Sequence, residues 1–183
     1  MIEFHHAPRS RSSSILWLIE ELAVSYEMTV VDIRAPGGVP ESYRAIQPNK
    51  KVPAVTDDGV TVTERGAICI RLADKYPEAG LAPAIGDPMR GPYLTWLVYC
   101  DSVLDLAVAA RAHGLSYVGS DYSFDTFDDM VDNIERRLTT TEYVADRRFT
   151  AADTQLGSAV ADTMGVMKVL PERPAFRVTW RGS

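Results

Sequence analysis

Residues 47–68 read QPNKKVPAVTDDGVTVTERGAI, and few folds accommodate such a stretch. A short loop, Gln47 to Lys51, leads into an extended run at Val52-Pro53. Proline lacks a ladder donor and holds the residue before it in an extended backbone, so Pro53 belongs at the beginning of a strand. Two short strands, Pro53 to Thr56 and Val60 to Thr63, flank the hairpin signal Asp57-Asp58-Gly59. The second strand passes directly into Thr63-Glu64, the start of an amphipathic helix whose Ile68 and Leu72 face inward. With a cis Val52–Pro53 bond, Val52 would offer its N–H and C=O to an outside peptide. A helix N-terminus carrying an acid would lie close by. Such a receptor suits a small peptide with a charged α-amino-acid end.

The flanking sequence supplies the rest of a small sheet. Ile2 to His6 reads as a strand and Tyr26 to Ile33 as another. Between them Ile15, Leu18, Ile19 and Leu22 mark one stripe of a helix over Ser12 to Ala23. Pro40 to Ile46 reads as a short helix, and Glu64 to Tyr76 as a longer one. The order β-α-β-α-β-β-α over residues 1–77 is thioredoxin-like. Its strand–helix–strand unit implies a parallel pair with a right-handed crossover.

Tyr76 to Pro92 then concentrates Pro77, Gly80, Pro83, Gly86, Pro88, Gly91 and Pro92, which places a linker at 78–88. Beyond it the pattern is helical only. Tyr93, Trp96, Leu97, Cys100, Leu104 and Ala107 mark a long helix. Phe124, Phe127, Val131, Ile134 and Leu138 mark a second, and Leu156, Val160, Thr163 and Met167 a third. A short fourth begins near Pro171. Residues 89–183 are thus expected to form an all-α domain. Phe149-Thr150-Ala151-Ala152-Asp153 reads as a capping box with Thr150 at N-cap and Asp153 at N3, a structural role and not a catalytic one.

Composition narrows the function. The 183 residues carry a net charge of -6, which argues against a nucleic-acid binder, since that needs a basic face. No run of about 18 apolar residues is evident, so no membrane span is expected. MIEFHHAPRS lacks the apolar core of a signal peptide, which points to the cytoplasm. Cys69 and Cys100 lie within helical patterns and read as buried, reduced thiols. His5, His6 and His113 show no metal-ligand spacing, so no metal is expected.

Three segments, RSRSSSILWLIEEL (9–22), NKKVPAVTDDGVTVTERGAICIRLADKYP (49–77) and FTAAD (149–153), resemble the cytosolic glutathione S-transferases. The resemblance implies a thioredoxin-like domain followed by an all-helical one, with glutathione as co-substrate and a homodimer. It implies a cis Pro53 and places the backbone of Val52 against the cysteinyl unit of glutathione. Glu64 would hold the γ-glutamyl amine. Arg65 stands where most members carry serine. Its N–H still suits the γ-glutamyl carboxylate, and its guanidinium could replace the lost hydroxyl or point to solvent or a dimer interface. Lys51 would pair with the glycyl carboxylate.

Transferases of this kind stabilise a thiolate. A free thiol titrates near about 8.5, and lowering that by about 2 units takes about 2.7 kcal/mol. One hydroxyl bond to the anion supplies about 1.5–3 kcal/mol, and a helix N-terminus about 0.3–1 kcal/mol. Alignment of SRSSSIL with the family's Ser-x-x-x-Arg-Val pattern puts the activating hydroxyl on Ser10, with Ser12 as runner-up or N-cap. Ser13 and Ser14 read as ordinary first-turn residues. Arg9 or Arg11 could assist through charge. Arg11 falls where cysteine-dependent bacterial members carry their cysteine, which argues against mixed-disulfide chemistry. The small hydrophobic electrophile is expected on the first helix of the second domain, among Tyr93, Trp96, Leu97, Tyr99, Val103 and Arg111. Two alternatives stay open: a glutathione-dependent isomerase, lyase or peroxidase, and a non-catalytic interaction module of the same fold. The chain closes on FRVTWRGS (176–183), where the resemblance implies a further closing helix.

Overall fold

A computed structural model describes residues 1–145 and 147–178. Four strands, β1 (Ile2–His6), β2 (Tyr26–Val30), β3 (Ala54–Asp57) and β4 (Val60–Thr63), form one sheet in the order β2-β1-β3-β4. β1 and β2 run parallel, paired from Ile2↔Tyr26 to His6↔Val30. β3 is antiparallel to β1, with His5 opposite Ala54, and β4 closes the hairpin. The turn at Asp58-Gly59 takes the left-handed conformation at both residues (φ 51° and 75°), as the hairpin signal requires. β2 is shorter than the sequence suggests. Asp32 accepts the N–H of Arg34 at 3.0 Å and turns the chain before Ile33 can join the sheet.

Helix α1 (Ser13–Leu22) crosses from β1 to β2 and buries Ile15, Leu18 and Ile19 completely. Each such side chain contributes about 1.5–3 kcal/mol by leaving water. Helix α2 (Arg65–Lys75) buries Ile68, Cys69 and Leu72 against the same core. The Pro40 segment forms the expected short helix, of the 3-10 type, over Glu41–Ala45.

The remainder is helical. α3 (Arg90–Tyr99) continues through a π-turn at Cys100–Leu104 into α4 (Asp105–Ala112). The combined run Arg90–Ala112 spans 23 residues and is, by length and composition alone, long and apolar enough to cross a membrane. Its apolar face is occupied within the protein: Tyr93, Leu97, Cys100, Leu104, Ala107 and Val108 lie in the core. α5 (Phe127–Thr140) starts three residues later than Phe124, because Thr126 caps it by accepting the N–H of Asp129 at 3.0 Å. Phe124 instead joins Tyr117 and Tyr122 in an aromatic cluster. α6 (Ala151–Ala161) is buried along most of its length against α1, α2 and α3. α7 (Pro174–Val178) seats Phe176 in the core; Thr179–Ser183 lie outside the described residues. One apolar cluster runs from Ile2 and Phe4 through Ile68 and Leu72 to Leu97, Leu156 and Phe176, so the sheet half and the helical half share a core.

The expected capping box is present at Thr150. The Asp153 carboxylate accepts N–H groups from Val144 at 2.7 Å and Thr150 at 2.9 Å, and the Thr150 hydroxyl at 2.9 Å. Burial raises its pKa, and these donors work in the opposite direction. Asp153→Ala leaves buried donors unpaired and is expected to cost about 2 kcal/mol. A lower urea midpoint at unchanged slope checks this.

Candidate functional site

The Val52–Pro53 peptide bond is cis. The sheet ladder begins at Ala54, so the backbone of Val52 lies ahead of the β3 pairing. The loop before it is fixed by two side chains that sequence reasoning did not assign to the site. Gln47, 3% exposed, accepts the Lys51 N–H at 3.0 Å through Oε1. The Tyr43 hydroxyl donates to the Lys51 carbonyl at 3.2 Å. Val52 itself leans on a small cluster of Val31, Val39 and Tyr43. The Lys51 side chain is exposed.

Glu64 occupies the N-cap position of α2 with φ 66°, a conformation that a non-glycine residue seldom adopts. Its side chain is exposed, and among the described residues it makes no ion pair. Arg65 begins the helix and turns the other way. Its side chain is 4% exposed and reaches across to the helical half. Nε and Nη2 donate to Asp101 Oδ1 at 3.0 and 2.6 Å, and Nη2 also donates to Asp105 Oδ2 at 2.7 Å. Burial alone would lower the guanidinium's pKa; the charges of Asp105 and Asp101 outweigh it and the pKa rises. The settings expected from the sequence, a glutathione carboxylate, solvent or a dimer interface, give way to an internal bridge.

Asp101 also accepts the Gly66 N–H at 3.1 Å, and a Cβ on Gly66 would sit 3.2 Å from the same carboxylate. A glycine is what lets α2 approach this closely. The π-turn that contains Asp101 accommodates an extra residue and re-aims the side chains around it. Asp105, at its far end, receives a second cation: Arg11 Nε donates to the same Oδ2 at 2.6 Å.

Arg11 brings in the serine turn. Ser12 stands at the N-cap of α1, yet its hydroxyl does not cap the helix. It is fully buried and turns back to β1, where it accepts the Ala7 N–H at 3.1 Å and lies 2.8 Å from His6 Nδ1. Ser10 is partly exposed, with Oγ 2.7 Å from Ser12 Oγ and 2.7 Å from the Ala7 carbonyl. The loop ahead of it is held by Arg34, whose guanidinium donates to the carbonyls of Pro8 at 3.2 Å and Arg9 at 2.8 Å. Arg9 has φ 54°. Of the two serines, Ser10 is thus the one that a ligand can reach.

The helical wall differs most from expectation. Tyr93 and Leu97 are 0% exposed and Trp96 8%, so three of the six residues expected to meet an electrophile lie in the core, while Tyr99 and Val103 are half-buried. Arg111 is exposed and stacks over the Phe127 ring at 5.0 Å. Cys69 and Cys100 are buried; burial pushes the Cys69 thiol up to about 12, so it stays protonated. Among the described residues no group of three or more His, Cys, Asp or Glu is placed to hold a metal ion.

Comparison with known proteins gives this arrangement a family. The profile "Glutathione S-transferase, N-terminal domain" matches residues 1–74. The chain is 33% identical to glutathione S-transferase 3 of Schizosaccharomyces pombe, over 97% of its own length and 86% of that protein's. Among solved structures, a Sulfitobacter glutathione transferase homologue with bound glutathione superposes with a TM-score of 0.71 at 25% identity, covering 98% of this chain and 90% of that one. A sphingomonad glutathione S-transferase complexed with glutathione gives 0.72 at 24% identity, over 97% and 96%. With its cis Val52–Pro53 turn, its Glu64 at a helix N-terminus and its helical second half, the chain belongs to the glutathione S-transferase family.

Proposed function

We propose that the protein binds reduced glutathione along Val52-Pro53 and the N-terminus of α2, and transfers its thiolate to a hydrophobic electrophile. One observation carries this reading. The Asp105 carboxylate touches both Arg11, next to Ser10, and Arg65, next to Glu64, at 2.6 and 2.7 Å. It therefore draws the candidate thiol-activating hydroxyl and the candidate ammonium acceptor to one locality. The pairing of His5 with Ala54 brings the Val52-Pro53 turn to the same end of the sheet.

In this reading the Val52 backbone pairs with the cysteinyl unit, as a strand pairs with its neighbour. Glu64 accepts the γ-glutamyl ammonium, and the Arg65 N–H stays at the helix start for the carboxylate. Lys51 meets the glycyl carboxylate. Ser10 donates to the sulfur and keeps it ionised. The electrophile approaches along the exposed side of α4, where Leu106 is 46% exposed beside Asp105 and Arg111 lies further along. The same reading has residues 1–77 as the glutathione-binding unit, 78–88 as connector and 89–183 as the electrophile-side unit, with a homodimer at work in the cytoplasm.

Isothermal titration with reduced glutathione is the test. The wild type should bind at micromolar to millimolar affinity. Glu64→Ala should weaken binding about ten- to a hundred-fold, the worth of one charge-assisted bond. A wild type that gives no heat at millimolar ligand would sink the reading and leave an interaction module of the same fold.

A further inference from the structure

His6, Ser12 and Ser10 form a single file of side chains from the core to the surface. His6 is the last residue of β1 and is 5% exposed, with its ring 5.4 Å from that of Phe4. Its Nδ1 lies 2.8 Å from Ser12 Oγ, and Ser12 Oγ lies 2.7 Å from Ser10 Oγ. Only Ser10 reaches solvent. Each contact has room for one proton, so the direction of the file depends on which partner supplies it.

Hydroxyl valence fixes the two solutions. Ser12 Oγ has one proton and two lone pairs. One lone pair accepts the Ala7 N–H. If His6 carries its proton on Nδ1, the second lone pair is filled from the imidazole, and the Ser12 proton passes to Ser10 Oγ at 2.7 Å in preference to the Ala7 carbonyl at 3.2 Å. Ser10, which also accepts the Ser12 N–H at 3.2 Å, then has both lone pairs occupied and its own proton free to point outward. If His6 carries its proton on Nε2, Nδ1 takes the Ser12 proton. The 2.7 Å contact then consumes the Ser10 proton, and Ser10 presents only lone pairs to the site. A thiolate would be repelled.

We propose that His6 and Ser12 are positioning residues for thiolate stabilisation: the Nδ1–H tautomer of His6, relayed through Ser12, aims the Ser10 proton at the glutathione sulfur. The inference rests on the transferase reading above. In the free protein the Ser10 proton has a resting acceptor, the Ala7 carbonyl at 2.7 Å. Bound sulfur takes it over without moving the rest of the file. Burial lowers the pKa of His6, which keeps the imidazole neutral near pH 7 and leaves the tautomer as its only choice.

The test reads the thiol pKa of bound glutathione from thiolate ultraviolet absorbance, with steady-state kinetics alongside. His6→Leu and Ser12→Ala should each raise that pKa by about one unit. They should lower kcat about ten-fold at neutral pH, with the KM for glutathione nearly unchanged. His6→Asn, whose side-chain amide can donate in place of Nδ1–H, should recover most of the loss. Nitrogen-15 spectra of the wild-type imidazole with glutathione bound should show a protonated Nδ1, a readout that needs no variant to fold. A bare Nδ1 there, or a thiol pKa indifferent to His6→Leu in a folded protein, would overturn the relay alone. Absence of any bound thiolate in the wild type would overturn the relay together with the transferase reading.

Discussion

Arg65→Leu is expected to destabilise the protein by about 3 kcal/mol, the largest effect of any single change on the interface between its halves. The guanidinium is 4% exposed, and it neutralises Asp105, 18% exposed, and Asp101, 37% exposed. Without it Asp101 loses its guanidinium partner, and Asp105 keeps only Arg11, whose side chain is half exposed. Breaking a buried pair from one side typically costs about 3–5 kcal/mol, and the access of water to Asp101 holds the figure at the low end. Arg65→Lys should not recover it, because a single ammonium cannot span two carboxylates as a planar fork does. Urea unfolding should show a lower midpoint at unchanged slope. Adding Asp101→Asn and Asp105→Asn to Arg65→Leu should restore part of the loss, since no charge is then stranded. A midpoint within error of wild type for the single change would mean that water already screens the bridge.

Ser10→Ala is expected to lower kcat/KM toward an activated aryl halide about a hundred-fold at neutral pH, equivalent to about 2.7 kcal/mol. The sign of the pH dependence follows from the chemistry. Loss of the donor returns the bound thiol toward its ordinary value near about 8.5, so the thiolate fraction falls about ten-fold for each pH unit below that value. Above it wild type and variant both hold thiolate, and their rates should converge. A rate profile of the two proteins from neutral to alkaline pH checks this. A deficit that stays constant across the range would assign Ser10 to substrate placement and not to ionisation.

Local rules carried most of the architecture. The stripe Ile15, Leu18, Ile19 and Leu22, the turn at Asp58-Gly59 and the Thr150–Asp153 box are each settled by neighbours within a few residues, and each appears where the sequence puts it. The site was legible only where it shared that property, as at Val52-Pro53. The role of Arg65 depends on Asp101 and Asp105, which are 36 and 40 residues away, and nothing in their spacing announces them. Tyr93, Trp96 and Leu97 lie on the helix that the sequence predicts, but the sequence does not say which of its faces is buried. An aromatic stripe marks the face that leaves water, and in this helix those residues are buried where α3 packs on α6. His6 showed no ligand spacing, and its connection to Ser12 exists only once β1 and the α1 turn are folded together.

The shared core also bears on how the molecule can move. Domains that hinge part along a thin, wet boundary; here the boundary is filled by residues of both halves, from Ile68 and Leu72 to Leu97 and Leu156. Opening it would return that apolar surface to water. Ligand entry should therefore proceed without parting the two halves. Unfolding, for the same reason, should proceed as one transition, with neither half outlasting the other.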